Sequence, residues 1–255
     1  MPVLIAIGSV AIGYAYAFWH FRVQGWTARF AERGLISRRH PWLFGAGLVV
    51  VGLALTSPLD PLADFLFSAH MVQHLLLIML APPLLLFGLP SPVARWFIPE
   101  FRLRGVLSLL SDPLVAFALY NVNFYVWHVP VIYEAALHNE LVHDLEHALF
   151  FYTAILFWWR VIDPTHGWFP LWRWNPAKWI YLLVAAPPAY VLGSIFWANG
   201  SVIYSFYEEA PRLWGLAALA DQRNGGLLMW LQGWMFLMAS MLAFFVRYDP
   251  DKEQV

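Results

Sequence analysis

Seven long apolar segments dominate the sequence and limit the folds it can adopt. A helix needs about 20 mainly apolar residues to cross the roughly 30 Å hydrocarbon core of a bilayer. Of the 255 residues, 61% are hydrophobic and only 12% are charged, whereas soluble domains average about 25% charged residues. The segments cover residues 2–21, 41–57, 65–89, 113–136, 141–162, 178–198 and 225–246. The sequence therefore predicts an all-α integral membrane protein with seven transmembrane helices, and it excludes an ordinary soluble enzyme.

The basic residues predict the orientation of these helices, because cytoplasmic loops retain Lys and Arg. Thirteen of the 15 basic residues follow the first, third, fifth or seventh segment, which leaves only Arg212 and Arg223 on the other side. We therefore expect the N-terminus outside and the C-terminus in the cytoplasm. Residues 1–255 are predicted to form a single seven-span domain with a short cytoplasmic C-terminal tail. The first segment has no basic residue before it and no clear cleavage site, which favours a span over a signal peptide.

Proline pairs interrupt two of the predicted spans. Pro82 and Pro83 lie in the third segment, and Pro187 and Pro188 lie in the sixth. Each proline removes a backbone donor and clashes with the preceding turn of a helix. Neighbouring helices or waters can satisfy the freed carbonyls inside a membrane. We therefore expect kinks at both pairs.

Two segments begin with the motif His-x-x-x-His. The third contains His70 and His74, and the fifth contains His143 and His147. Residues four apart lie on one face of a helix, about 6 Å along its axis, so each pair can direct two imidazoles at one ion. Glu146 borders the second pair and is a candidate ligand, proton acceptor or orienting group.

The predicted orientation brings both histidine pairs to one level. Both motifs lie in the first turns of helices that run inward, and the outward-running fourth segment carries His128 near its end. Ionisable groups in a span usually face the bundle interior and mark function, and imidazole suits copper, zinc and iron. We therefore predict a metal site near the extracytoplasmic face. Its predicted ligands are His70, His74, His128, His143 and His147.

Four other residues are candidates for additional ligands or supporting groups, namely Asp60, Asp221, Met71 and Met229. Met71 is rotated about 100° from the first histidine, and both methionines also suit packing. Asp221 is as well suited to pair with Arg223 or to cap the seventh helix as it is to support the metal site. The paired histidines have an alternative without metal, in which they form interhelical hydrogen bonds with Asp60 or Asp221. The remaining histidines, at positions 20, 40, 138 and 166, are interpreted as interfacial residues.

The absence of cysteine and of an excess of basic residues excludes several kinds of metal site and partner. The chain has no cysteine, so disulfides, thiolate metal sites and cysteine-bound iron–sulfur clusters are excluded. Its formal net charge is −1, which gives no basic excess for a nucleic acid partner.

Four sequence blocks resemble the polytopic CtaG-type cytochrome c oxidase assembly factors. The blocks are SAHMVQHLLLIMLAPPLLLFGLP at 68–90, WHVPVIY at 127–133, HDLEHALFFYTAILFWW at 143–159 and DQRNGGLLMW at 221–230. They occur in the family's order and extend over most of the chain from the second predicted helix onward.

The resemblance implies a multi-pass protein of the bacterial plasma membrane that assists copper delivery or insertion into a terminal oxidase. The five histidines above match the family pattern, with Asp60 and Asp221 as accompanying acids. Implied partners are an oxidase subunit, an extracytoplasmic copper donor and the lipid bilayer. An assembly factor of this kind needs reversible binding and no turnover, so the resemblance favours a protein that is not an enzyme.

A second function has the same ligand chemistry. Two histidine pairs with Glu146 also suit a membrane metalloenzyme with a histidine-rich iron or zinc site, in which Glu146 acts as a general base. Such an enzyme should contain a pocket that reaches the site from lipid or water. Haem is a poor alternative, because axial ligands must approach opposite faces of the macrocycle.

Overall fold

A computed structural model of the protein describes residues 2–23, 36–97, 103–164 and 175–245. These residues form helices joined by short connections, and no strand occurs among them. The α-helices are α1 (Pro2–Val23), α2 (Arg39–Thr56), α3 (Leu59–Ala63), α4 (Phe67–Leu75), α5 (Ala81–Phe87), α6 (Ser91–Phe97), α7 (Leu103–Leu110), α8 (Pro113–Trp127), α9 (Pro130–His138), α10 (Glu140–Ile162), α11 (Asn175–Ala198), α12 (Ser205–Glu209) and α13 (Ala218–Phe245). A π-helical turn, Leu76–Leu80, joins α4 to α5.

Six helices in the described part of the chain are long and apolar enough to cross a membrane. These candidate spans are Val3–Phe21, Arg39–Thr56, Phe67–Phe87, Glu140–Ile162, Pro176–Ala198 and Ala218–Ala243. They correspond to six of the seven predicted segments, so the prediction of a helical membrane protein is confirmed. Helices α8 and α9 pass the same test as a pair and give a seventh span if the pair crosses the membrane as a unit. The predicted C-terminal tail lies outside the described residues.

The fourth predicted span, 113–136, is broken and is not one continuous helix. Helix α8 ends at Trp127, and α9 begins at Pro130 with a bend of 75° between them. A proline disfavours helical backbone in the residue before it, and Val129 is extended, with φ −67° and ψ 125°. The break leaves His128 at the end of α8, where its carbonyl accepts a hydrogen bond of 3.0 Å from the Tyr204 hydroxyl.

The third span is distorted at its proline pair, as the sequence predicts. The π-helical turn lies directly before Ala81-Pro82-Pro83. The carbonyl of Ile78 would take its donor from residue 82 in an α-helix or from residue 83 in a π-helix, and both are prolines without an amide hydrogen. The indole of Trp158 on α10 donates to this carbonyl at 2.9 Å. A neighbouring helix therefore supplies the missing hydrogen bond.

The sixth span differs, because α11 continues as one helix through Pro187 and Pro188. It packs closely against α13 where two glycines meet. A Cβ on Gly193 would lie 2.6 Å from the Gly226 carbonyl oxygen, and a Cβ on Gly226 would lie 2.7 Å from the Gly193 carbonyl oxygen. Small residues allow such close approach between helices in membranes. This contact fixes the first turns of α13, which carry Asp221, against the rest of the bundle.

Helix α1 contacts α2 and the end of α5 through one aromatic pair. The Tyr14 ring stacks on Phe44 with 3.9 Å between centroids, and the Tyr14 hydroxyl donates to the Gly88 carbonyl at 2.7 Å. A Cβ on Gly88 would lie 2.2 Å from the Phe44 amide nitrogen, so only glycine fits there. Away from this contact, α1 and α2 form one wall of a large groove along α10.

Candidate metal centre

The structure brings the five predicted histidines together. Helix α4 contributes His70 and His74, α10 contributes His143 and His147, and the break after α8 contributes His128. The two rings of the first pair are 4.4 Å apart and those of the second pair 4.2 Å apart. Between the helices, His74 lies 5.2 Å from His147 and 6.4 Å from His128, ring to ring. Imidazoles from three parts of the chain therefore form one cluster.

The first histidine pair has a geometry that fits a shared ion. The Nε2 atoms of His70 and His74 are 2.9 Å apart. Two lone pairs at this distance repel unless a proton or a cation lies between them. Nitrogens bound to one ion at about 2.0 Å are about 3 Å apart when the angle at the ion is near 90°. The separation is therefore compatible with ligation of one ion as well as with a hydrogen bond.

Glu146 places an unsatisfied carboxylate beside this pair. Its side chain is fully buried, and neither oxygen has a hydrogen-bond partner among the described residues. One oxygen lies 3.6 Å from His74 Nε2 and the other 4.0 Å from His70 Nε2. Burial of a carboxylate without hydrogen bonds is costly unless the group is protonated or compensated by a cation. The position suits a ligand or a charge partner of a bound cation.

Two more imidazole nitrogens are buried without a partner. The Nδ1 atom of His128 donates to the Phe124 carbonyl at 2.6 Å, which fixes the proton on Nδ1 and leaves the lone pair on Nε2. This Nε2, and that of His147, form no hydrogen bond to any residue that the structure describes. Metal-binding histidines commonly have one ring nitrogen held by a carbonyl and the other free for the ion.

Two tyrosines that the sequence analysis did not single out determine the tautomer of His70. The Tyr207 hydroxyl donates to the Ala63 carbonyl at 3.0 Å, and a carbonyl can only accept. For the 3.1 Å contact between Tyr133 and Tyr207 and the 3.0 Å contact between Tyr133 and His70 both to be hydrogen bonds, Tyr133 donates to the Tyr207 oxygen and accepts from His70 Nδ1. The Tyr207 oxygen lies 3.3 Å from the same Nδ1. Burial raises the pKa of Tyr207 well above its usual value, which keeps its proton in place. This series of hydrogen bonds leaves the lone pair on His70 Nε2, which faces the other histidines of the cluster.

The cluster contains two overlapping sets of three ligand atoms that lie within 4.8 Å of one another. One set is His70, His74 and His147, and the other is His70, His143 and Glu146. The first set is buried throughout, whereas His143 in the second is only partly buried. Nitrogen-rich sets with one carboxylate suit copper, zinc and iron. The residues present therefore fit a metal ion.

Comparison with known proteins identifies the family of the chain. The sequence matches the family described as cytochrome c oxidase caa3 assembly factor over residues 12–248. The chain belongs to this family. The match covers all five histidines of the cluster, Glu146 and both tyrosines of the hydrogen-bond chain.

Relatives of the chain occur in mycobacteria. Uncharacterised proteins of Mycobacterium bovis and Mycobacterium tuberculosis are each 26% identical over 242 residues, and one of Mycobacterium leprae is 23% identical over 249 residues. These matches cover 87% to 89% of this chain but 34% to 36% of the relatives. The chain thus spans about a third of their length. No solved structure matches it.

The two predicted acids, Asp60 and Asp221, accept hydrogen bonds from residues of α4. Asp60 accepts a hydrogen bond of 2.9 Å from the side-chain amide of Gln73. Asp221 accepts hydrogen bonds from the backbone amide of Phe67 at 2.6 Å and from the backbone amide and hydroxyl of Ser68. Asp221 therefore caps the N-terminus of α4, the helix that carries the first histidine pair.

The two predicted methionines pack in the hydrophobic core. Met71 and Met229 are both buried and belong to the main cluster of apolar side chains. Their burial in apolar surroundings matches the packing interpretation of the sequence.

The remaining histidines lie outside the cluster wherever the structure describes them. His20 lies against Trp96, His40 Nδ1 lies within hydrogen-bond distance of Ser37, and His138 Nδ1 donates to the Glu134 carbonyl. These contacts agree with their interpretation as residues outside the site. His166 lies outside the described residues.

A cavity of about 990 Å³ reaches the cluster from the side of α10. His143 and His147 line it at one end together with carboxylates, and apolar side chains of α1, α2, α5 and α10 line the rest. The acidic lining residues are Asp60, Asp64, Glu140 and Asp144. The cluster is thus accessible through the second histidine pair, while the first pair lies behind it.

Proposed function

We propose that this assembly factor binds copper at the histidine cluster and assists its delivery or insertion into a terminal oxidase. The family supplies the role in oxidase assembly. The observation that carries the metal proposal is the group of buried acceptors without partners, formed by Glu146 and the Nε2 atoms of His128 and His147. Buried polar groups are normally hydrogen-bonded, and a cation bound in the cluster would give a partner to His147 in one ligand set or to Glu146 in the other.

Copper fits the donor set better than a hard cation such as magnesium. Imidazole suits copper, zinc and iron, whereas carboxylate and water suit magnesium and calcium. Copper is favoured over zinc and iron because the family assembles a copper-using oxidase. The site releases its ion to a partner and therefore needs no open position for a reacting substrate.

The proposed location is the outer side of a bacterial plasma membrane. Arg38 and Arg39 lie at the start of the second span, Arg95 follows the third span, and Lys178 lies near the start of the sixth. The histidine motifs lie in the first turns of the third and fifth spans, at the opposite ends from the basic residues. The positive-inside rule then assigns the cluster to the extracytoplasmic side, with the N-terminus outside. A copper donor in that compartment would load the site, and an oxidase subunit in the bilayer would receive the ion.

Elemental analysis of the purified protein tests the metal proposal. Wild type should carry copper, and a His70→Ala/His143→Ala double variant should carry almost none, because each ligand set loses one or two members. A His40→Ala variant is the matched control, since it removes an imidazole far from the cluster. Equal copper in the double variant and the control would contradict the proposal.

A second experiment tests the role in cells. Oxidase activity and oxidase-bound copper should fall in cells that lack the protein, and both should return with the wild-type chain but not with the double variant. Fully loaded and active oxidase in cells without the protein would contradict the delivery role.

A membrane metalloenzyme with an iron or zinc site is the second candidate, and the cavity is the observation that favours it. The cavity extends from His143 and His147 along apolar side chains of α1, α2 and α10, which is the kind of pocket that such an enzyme requires. Purified protein that contains iron or zinc without copper would support this alternative. Purified protein that contains copper, together with a loss of oxidase activity in cells that lack the protein, would support delivery.

A further inference from the structure

The two histidine motifs meet the cavity differently, and this difference suggests a path for the ion. His143 and His147 line the cavity, whereas His70, His74 and Glu146 do not. Four carboxylates, Asp60, Asp64, Glu140 and Asp144, line the same end, and each interacts electrostatically with His143. Among the described residues that line the cavity, none is Lys or Arg. We call these four carboxylates and His143 the acidic vestibule.

The acidic vestibule leads to acceptors that lack partners. His147 is 6% exposed and lines the cavity, and its Nε2 has no hydrogen-bond partner within the described ranges. Glu146, one residue earlier on the same helix turn, is buried, and neither of its oxygens has a hydrogen-bond partner among the described residues. A cation that enters the vestibule therefore meets unsatisfied ligands behind it.

The two ligand sets cannot be filled at the same time. Both require His70, and the Nδ1 atom of His70 is already held by the hydroxyl of Tyr133 at 3.0 Å. Only Nε2 remains for a metal, and one lone pair binds one ion. The sets are therefore alternative positions for a single ion.

We propose that a copper ion is attracted by the acidic vestibule, is held first by His143, Glu146 and His70, and then passes to His70, His74 and His147. This inference rests on the proposed function, because it assumes that the cluster binds copper. His70 stays bound in both positions, so the ion moves by exchanging its other two ligands. The protein then holds one ion per chain, and the partly buried position precedes the buried one.

The rate of loading separates this path from simple binding. Full-length protein in detergent is mixed with Cu(I) held by a chromophoric chelator, and loss of the chelate colour gives the loading rate. An Asp64→Asn/Asp144→Asn variant should load about tenfold more slowly, at the lower end of the range for electrostatic steering. Its rate should also depend less on salt, while the final copper content stays at one ion per chain. Glu208→Gln, an exposed carboxylate outside the cavity lining, is the control and should load like wild type.

Two ligand variants test the order of the positions. His143→Ala should load slowly yet reach one ion per chain, whereas His147→Ala should load at the wild-type rate and release copper faster to a competing chelator. Two ions per wild-type chain would overturn the proposed path while copper binding itself stands. Equal loading rates in Asp64→Asn/Asp144→Asn and in Glu208→Gln would do the same. Absence of copper from wild type would overturn the proposed function as well, so the two failures are distinguishable.

Discussion

The two His-x-x-x-His motifs have the same spacing but very different surroundings. On α4, His70 and His74 are 0% and 3% exposed, and Asp221 caps the helix just before them. On α10, His143 is partly exposed to a cavity lined by carboxylates. The comparison teaches that one spacing can serve two roles. The first motif supplies buried imidazoles on a capped helix, and the second supplies imidazoles that can be reached from the cavity. Neighbouring helices decide which role each motif has.

The largest expected effect comes from removing the residue that both ligand sets share. His70→Ala should weaken copper affinity more than about 100-fold, beyond the range typical for loss of a supporting group. His143→Ala should weaken it much less, because the set His70, His74 and His147 stays intact. Titration of both purified variants against a copper chelator of known affinity measures the difference. Similar losses in the two variants would remove the distinction between the motifs.

The hydrogen-bond chain behind His70 should have the next largest effect. Tyr133→Phe removes the nearer hydroxyl partner of His70 Nδ1, the other being Tyr207 at 3.3 Å, and loss of such a partner typically weakens metal binding about 10- to 100-fold. Tyr204→Phe is the matched control, because Tyr204 stacks on Tyr133 with 3.9 Å between centroids but donates to the His128 carbonyl. Copper affinity should fall in the first variant and change little in the second. The reverse order would show that copper binding depends more on the hydrogen bond from Tyr204 to the His128 carbonyl than on the one between Tyr133 and His70.

Replacement of Glu146 should change stability and affinity in opposite directions. Glu146→Gln keeps the volume but removes a buried charge that has no hydrogen bond among the described residues. The metal-free protein should become more stable, because an uncharged amide is less costly to bury than an unpaired carboxylate, while copper binds more weakly. Thermal unfolding with and without copper measures both effects. A metal-free variant less stable than wild type would mean that the carboxylate is satisfied without a cation.

The cap on α4 should have the smallest effect. Asp221→Ala removes hydrogen bonds to the backbone amides of Phe67 and Ser68, and loss of a helix cap typically costs about 0.5–2 kcal/mol. Unfolding temperature should fall, and copper content should stay near one ion per chain. Loss of copper with unchanged stability would instead make Asp221 a ligand.

The spans and the shared face of each histidine pair could be predicted from the sequence because both depend on local spacing. Apolar runs give the helix positions, and a separation of four residues gives the shared face of each histidine pair. The break at Pro130 could have been anticipated from the proline alone, yet the apolar run through 113–136 favoured a continuous helix. Hydropathy does not reveal a bend in which the free carbonyl of His128 accepts its hydrogen bond from Tyr204, a residue just before α12.

The partners of the cluster could not be predicted in the same way. Tyr133 and Tyr207 reach His70 from helices that are remote in the sequence, and neither has a spacing that relates it to a histidine. The sequence suggests Asp221 as a cap for its own helix, α13. In the structure it caps α4, because α13 packs against that helix. Such assignments depend on tertiary contacts, and no local pattern encodes them.

X-ray absorption at the copper edge of the loaded, purified protein tests the central claim most directly. We expect about three nitrogen or oxygen neighbours at roughly 2.0 Å, the usual distance between a metal and an imidazole, with the outer scattering of imidazole rings. The signal should be lost in the His70→Ala/His143→Ala variant. Sulfur neighbours at roughly 2.3 Å, or an unchanged spectrum in that variant, would contradict a histidine-bound ion.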